Sequence, residues 1–308
     1  MDESPTRVPA GSLPVRGYDD KNRTIEHPSA AELASRVRAI GQEGSQFIVL
    51  LRIPHMPHDS LQAGLGDAPG TLLVSFRTGD DPWQEATVPA EAAPGLFLAW
   101  AANEPGWQGD HAWERAGWWN PADPPEPDPE AAAWASGQAQ RFIDEGYLEF
   151  DELVDALHEL SDSDPRLSSA QAQAIAAPLW RERVAAQAAW GASDCDRLTA
   201  AFADLDGRGI VARENFACCQ NCGTTEIWGE ADDATRGYAF FHMQDTEYAP
   251  QGAVHLSYGS RSDATEDVES IGEEIVKVLG EHGLRTEWNG SRKTRIEVLV
   301  PDWRRRLK

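Results

Sequence analysis

Three of the four cysteines of the 308-residue chain, Cys218, Cys219 and Cys222, fall within five positions in the run ENFACCQNCGTTEIWG. The Cys219-x-x-Cys222 spacing suits one metal ion or a reversible dithiol. Structural zinc sites draw four nitrogen or sulfur ligands, commonly as two such pairs, so zinc needs further donors here, and the candidates are Cys218, Cys195 and a histidine. His242 in GYAFFHMQ is the best placed of these, because on an extended strand it shares a face with Tyr238, Phe240 and Gln244. The candidate thiol or metal site is therefore Cys219, Cys222 and His242, with Cys218, Gln244, Asp245 and Glu247 as supporting groups. The same residues also compose a cysteine-hydrolase set, with Cys222 as thiolate, His242 as base and Asp245 or Gln244 to orient it. Cysteine spacing alone leaves structural, metal-binding and redox readings open.

The elements that carry these residues are read from periodicity. Extended backbone over 210–218 puts Ile210, Ala212, Phe216 and Cys218 on the apolar face and turns Cys219 away, which makes Cys218 a core residue. Further strands are expected near 237–244 and 253–259, and two more in LRTEW and RIEVLV. CCQNCGTTEIWG shows no helical periodicity, which argues against a thioredoxin-like oxidoreductase, whose Cys-x-x-Cys opens a helix after a strand. Cys195, Leu198, Phe202 and Leu205 form one helical stripe starting at Ser193 or Asp194, so Cys195 reads as a core thiol. A later helix uses Val268, Ile271, Ile275, Val278 and Leu279, with a cap near Asp263.

Earlier in the chain, Ser29 and Glu32 have capping-box spacing, and Leu33, Val37 and Ile40 share a helical face. Residues 46–52 and 71–77 are apolar runs of strand length separated by a loop, PHMPHDSLQAGLGDAPG, Thr87-Val88 extends a third strand, and 94–103 is expected as a helix. Prolines alternate through NPADPPEPDP, residues 120–129, and favour an extended, semi-rigid path. Helices follow at 129–146, around Leu153 to Leu160, and from Ser168 to about Trp190 with a break or kink at Pro178. The organisation expected is a mobile leader over 1–19, a small α+β domain over 20–119, a Pro-rich linker over 120–129, and a helical plus α+β domain over 130–308. The overall class is α+β, with helices on one face of a mainly antiparallel sheet.

Lys plus Arg number 27 against 51 Asp plus Glu, a formal charge of −24. Such a surface repels phosphate backbones and anionic membranes and favours a basic protein partner, so nucleic acid is not expected. Half of that charge, net −12, sits between Pro121 and Pro165, whereas Arg292–Lys308 carries net +5 and reads as a tail that docks on acidic helices or is solvated. No apolar run is long enough to span a membrane. The N-terminal stretch has no apolar signal core, and with so few cysteines the expected compartment is a reducing cytosol. His55, His58 and Asp59 form a loop cluster that lacks the helical spacing of a zinc motif. There is no Walker loop, Gly-x-Gly-x-x-Gly or Gly-x-Ser-x-Gly, which removes the enzyme classes that need them.

The residues also resemble a domain-of-unknown-function family common in actinobacteria. Its signature, Asn-Phe-x-Cys-Cys-x-x-Cys-Gly followed by Phe-His-x-Gln-Asp-Thr-Glu, is matched by Asn215 to Gly223 and by Phe241 to Glu247, and the resemblance spans about 130–308. It implies no activity and no catalytic roles. Residues 20–119 resemble, by analogy, the small immunity proteins of bacterial toxin systems. The leading expectation is a cytosolic protein-binding module of immunity-like or regulatory kind. Its rival is a metal- or thiol-dependent enzyme or redox sensor built on Cys219, Cys222 and His242.

Overall fold

The computed structural model describes residues 11–42, 45–118, 124–161, 166–262 and 264–308. Two compact units divide the chain, each gathered from separated segments. One joins the described residues up to Ala132 with Glu149–Val184, and the other joins Ala133–Leu148 with Ala185–Leu307.

The first unit opens with β1 (Val15–Asp19), β2 (Thr24–Glu26), α1 (Ala30–Arg38), β3 (Phe47–Arg52), β4 (Ser60–Leu65) and β5 (Thr71–Arg77). It continues through β6 (Gln84–Pro89), α2 (Ala93–Ala101) and β7 (Glu114–Arg115). These strands form one antiparallel sheet in the order β2-β1-β3-β4-β5-β6-β7. Ser29 caps α1 as its spacing requires, its hydroxyl accepting the Glu32 N–H at 3.2 Å. Leu33 and Val37 of α1 and Phe97 and Trp100 of α2 then close a core with Val15, Leu50, Leu61, Leu72, Val74 and Val88.

Two expectations need correction here. Val15–Asp19, read as mobile leader, is an inner strand, because Val15 and Gly17 alternate inward between β2 and β3. The segment between β3 and β5, read as a loop, contains β4, whose buried Leu61 and Ala63 alternate with polar or small residues too few to register as a period.

After α3 (Pro129–Glu145), the helices α4 (Phe150–Leu160) and most of α5 (Ser169–Gln187) belong to the first unit. Trp180 of α5 is fully buried and its indole N–H donates to the His55 carbonyl at 2.7 Å. Pro178 lies inside α5, which continues through it. The expected linker at 120–129 begins in residues outside those described.

In the second unit α6 (Asp194–Gly207) leads to β8 (Ile210–Arg213), α7 (Gln220–Glu226), β9 (Gly237–Phe240), α8 (Met243–Thr246) and β10 (Ala253–Ser260). Then come α9 (Thr265–Glu281), β11 (Arg285–Glu287) and β12 (Ile296–Leu299). The expected α9 cap at Asp263 lies outside the described residues. The sheet order is β11-β12-β10-β9-β8, antiparallel except for the parallel β8–β9 pair. The protein is thus a mixed α+β fold, with two sheets among the described residues.

Strand alternation splits this second sheet into two faces. Ile210, Ala212, Ala239, Val254 and Leu256 pack against Leu198, Phe202 and Leu205 of α6 and Ile275, Val278 and Leu279 of α9, with Cys195 in the same core. Val211, Tyr238 and Phe240 form a smaller cluster with Ile227, and Phe216 and Trp228 pack onto it. The second cluster seats α7, because Gly223 of that helix lies flat on the Phe240 ring.

A side chain at Gly223 has nowhere to go: a Cβ there would meet Cζ of Phe240 at 2.7 Å, with Cε2 closer still. Glycine to alanine ordinarily strengthens a helix by about 0.5–1 kcal/mol. Overpacking costs about 1–3 kcal/mol, and the fully buried ring cannot yield, so the second effect wins. Gly223→Ala is expected to destabilise the unit by about 1–2 kcal/mol in urea unfolding, whereas a stabilised protein would show that α7 does not rest on this ring.

Candidate functional site

The thiol segment departs from its expected strand at β8. Strand pairing stops at Arg213, and residues 214–219 form a loop that ends at the N-cap of α7, Cys219. Two residues in that loop sit in the left-handed region, Asn215 at φ 50° and Ala217 at φ 60°. Asparagine tolerates this conformation, but a left-handed alanine costs about 1–2 kcal/mol, so the surroundings must hold it. The Phe216 N–H donates to the Phe241 carbonyl at 2.8 Å, and the Met243 N–H donates to the Ala217 carbonyl at 3.1 Å. In addition the Thr246 hydroxyl donates to Asn215 Oδ1 at 2.8 Å. The Asn-Phe-x-Cys-Cys segment is thereby fastened to the Phe-His-x-Gln-Asp-Thr segment along its length.

The kink changes where the thiols point. Cys218, expected in the core, is exposed, and Cys219 and Cys222 are half-buried. The alternation argument failed because the backbone leaves the β region at Asn215 and Ala217. α7 begins at Gln220 and its first turn is closed by the Gly223 N–H donating to the Cys219 carbonyl at 3.0 Å. Cys-x-x-Cys therefore does open a helix, contrary to the sequence expectation; α7 is too short and polar for its period to show. One helical turn brings Cys222 back beside Cys219, and the Sγ atoms of Cys218, Cys219 and Cys222 all lie within 4.8 Å of one another.

Three sulfurs this close influence one another's protons. The backbone N–H of Cys222, then the thiols of Cys222 and Cys218, hold Cys219 below the ordinary thiol value. Cys222 takes the opposite part: hydrogen bonding to Cys218 and Cys219, and their developing charge, push it up to about 12. Burial in the sheet core pushes Cys195 up to about 12 as well.

His242 is not among the ligand atoms that gather around the thiols. β9 ends at Phe240, and His242 is the N-cap of α8 instead of a strand residue. Its Nδ1 accepts the Asp245 N–H at 3.3 Å, and its Nε2 lies 3.1 Å from Asp245 Oδ2. Burial lowers the ring's proton affinity, and the neutral ring accepts the Asp245 N–H through Nδ1. Asp245 is held in turn by both guanidinium nitrogens of Arg295, at 2.9 and 2.5 Å. Gln244 and Glu247 are exposed. The expected common pocket of two thiols and an imidazole is replaced by two neighbouring sets, a trio of thiols and a His242–Asp245–Arg295 cluster.

The basic C-terminal stretch supplies more than Arg295. Arg305 pairs with Glu214, whose carboxylate also accepts the Tyr147 hydroxyl at 2.7 Å, and Arg306 pairs with Asp196 at 2.6 Å. The tail docks, on acids of α6 and of the thiol loop. Asn215, Thr246 and Arg295 had no role in the sequence reading; the two motifs hold the first two, whereas nothing local marks Arg295 as the partner of Asp245. In the first unit, His55, His58 and Asp59 turn to Arg16, Gln173 and Arg52 respectively, and do not converge.

Residues 128–307 match the family described as a domain of unknown function, DUF6891. The chain belongs to this family. No curated protein and no solved structure matches the chain. The DUF6891 region holds both halves of the fastened loop and all the cysteines, and among the described residues the group of His, Cys, Asp and Glu side chains placed to hold a metal is the DUF6891 thiol trio.

Two outcomes follow for the DUF6891 loop. Iodoacetamide is expected to modify Cys219 ahead of Cys222 as pH rises, and Cys195 only on unfolding, as read by peptide mass spectrometry; equal rates at Cys219 and Cys222 would contradict the proton distribution described. Ala217→Gly relieves about 1–2 kcal/mol of left-handed strain but gives back about 0.4–1 kcal/mol of unfolded-chain entropy. It is expected to raise stability in urea by about 0.5–1 kcal/mol, and a loss of stability would show that Ala217 is unstrained.

Proposed function

We propose that Cys218, Cys219 and Cys222 form a thiolate centre for one soft metal ion, and that the DUF6891 region of this chain is a metal-binding module. The observation that carries this reading is the approach of all three Sγ atoms to within 4.8 Å of one another. Zinc–sulfur bonds of about 2.3 Å set tetrahedral sulfurs about 3.8 Å apart, so closure around an ion needs only small side-chain rotations. The loop that presents the thiols is fixed by three hydrogen bonds, which lowers the ordering cost of binding. The net charge of −24 favours a cation over an anion at the surface. Zinc and copper(I) are the ions that thiolates select, whereas oxygen-seeking magnesium and calcium are poorly matched.

A second reading is supported by the helix that Cys-x-x-Cys opens and by the opposite proton affinities of its two thiols. Cys219 thiolate attacks a hydroperoxide oxygen to give a sulfenic acid and the corresponding alcohol or water. Cys222 then displaces water from it, forming the Cys219–Cys222 disulfide.

Cobalt(II) titration of the reduced full chain tests the first reading. One equivalent should bind with thiolate-to-cobalt charge-transfer absorption, Cys222→Ser should weaken it strongly, and Cys195→Ala should leave it in place. A chain that binds no cobalt or zinc, yet forms the disulfide with peroxide, would replace the metal reading by the redox one.

A further inference from the structure

Three thiolates leave a tetrahedral ion one donor short. His242 is not among the ligand atoms gathered around the thiols, and its Nδ1 is taken by the Asp245 N–H. Cys195 is packed in the core between the sheet and its two long helices. Asp245 is committed to Arg295, and Gln244 and Glu247 offer hard oxygen donors, which a thiolate-bound soft ion disfavours.

The residue between His242 and Gln244 has the right chemistry. Met243 is the first residue of α8, and its N–H donates to the Ala217 carbonyl at 3.1 Å. That bond places its backbone against the peptide that leads directly into Cys218. Met243 is 49% exposed although the core of the same unit stands nearby, so it is not spent on packing. A thioether on three rotatable bonds can reach across such a short span, and thioethers bind copper(I) well while adding little to zinc. The fastening of the loop, otherwise a device for holding the thiols, also fixes where this fourth sulfur starts.

We propose that Met243 supplies the fourth ligand of the centre, making it a three-cysteine, one-methionine site that selects copper(I). The inference rests on the thiolate reading given above and adds the identity of the ion and of its last donor. Binding involves no change of oxidation state: copper enters as copper(I), the thiols release their protons to solvent, and the thioether donates a lone pair.

The test uses the reduced full chain with selenomethionine in place of its three methionines. Loaded with one equivalent of copper(I), it should show a copper–selenium distance in X-ray absorption that Met243→Leu abolishes. Against a chromophoric copper(I) chelator, Met243→Leu should weaken copper(I) by roughly tenfold or more, while cobalt(II) binding stays unchanged. Copper(I) bound with no selenium neighbour, or with equal affinity in both proteins, would overturn the role of Met243 and leave the thiolate centre standing. An equal loss of copper(I) and cobalt(II) in Met243→Leu would mean that the residue only holds the loop, and would overturn it too. Failure of the unsubstituted chain to bind either ion would remove the thiolate reading itself.

Discussion

The chemistry of the second unit depends on a short stretch of backbone pairing continued past the end of a parallel sheet pair. β8 and β9 stop at Arg213 and Phe240, yet the following residues stay joined through Phe216 to Phe241, Ala217 to Met243 and Asn215 to Thr246. These contacts force Ala217 into a conformation an alanine resists, and that conformation swings Cys218 out of the sheet plane. Extended backbone through this stretch would instead place Cys218 and Cys219 on opposite faces.

What supports the loop is itself anchored from several directions. Glu214, at its start, is half-buried between Tyr147 and Arg305, tying together the end of α3, the end of β8 and the C-terminal stretch. Arg305 also lies 3.9 Å above the Tyr147 ring. Paired and hydrogen-bonded in this way the carboxylate tolerates burial; cutting either partner would leave a charge stranded. At its far end the loop runs into α7, which is seated on Phe240 through Gly223. The His242–Asp245–Arg295 cluster fixes the opposing turn, so the imidazole acts as a helix cap and belongs to the framework of the site.

Much of this was legible in the residues. Capping-box spacing at Ser29 located the start of α1, and the three-and-four spacing of Leu198, Phe202 and Leu205 correctly put Cys195 in the core. Cys219 and Cys222 were marked as a pair by their Cys-x-x-Cys spacing, but the short helix that brings their sulfurs together was not expected. The position of Cys218 was not legible, because alternation assumes regular backbone and the left-handed angles at Asn215 and Ala217 arise from contacts with residues 241–246. His242 misled for the same reason: the strand carrying it ends two residues earlier, where Asp245 can fold back onto the ring. Which segments of 129–187 gather with which sheet was equally hidden, since an amphipathic stripe announces a buried face but not its partner.

The account's central claim is that three thiols act as a single ligand set. Alkylation of the full chain, with and without one equivalent of zinc, followed by peptide mass spectrometry reads this out residue by residue. The geometry predicts that zinc protects Cys218, Cys219 and Cys222 together and to the same extent. Protection of only one of them, or of none, would contradict it.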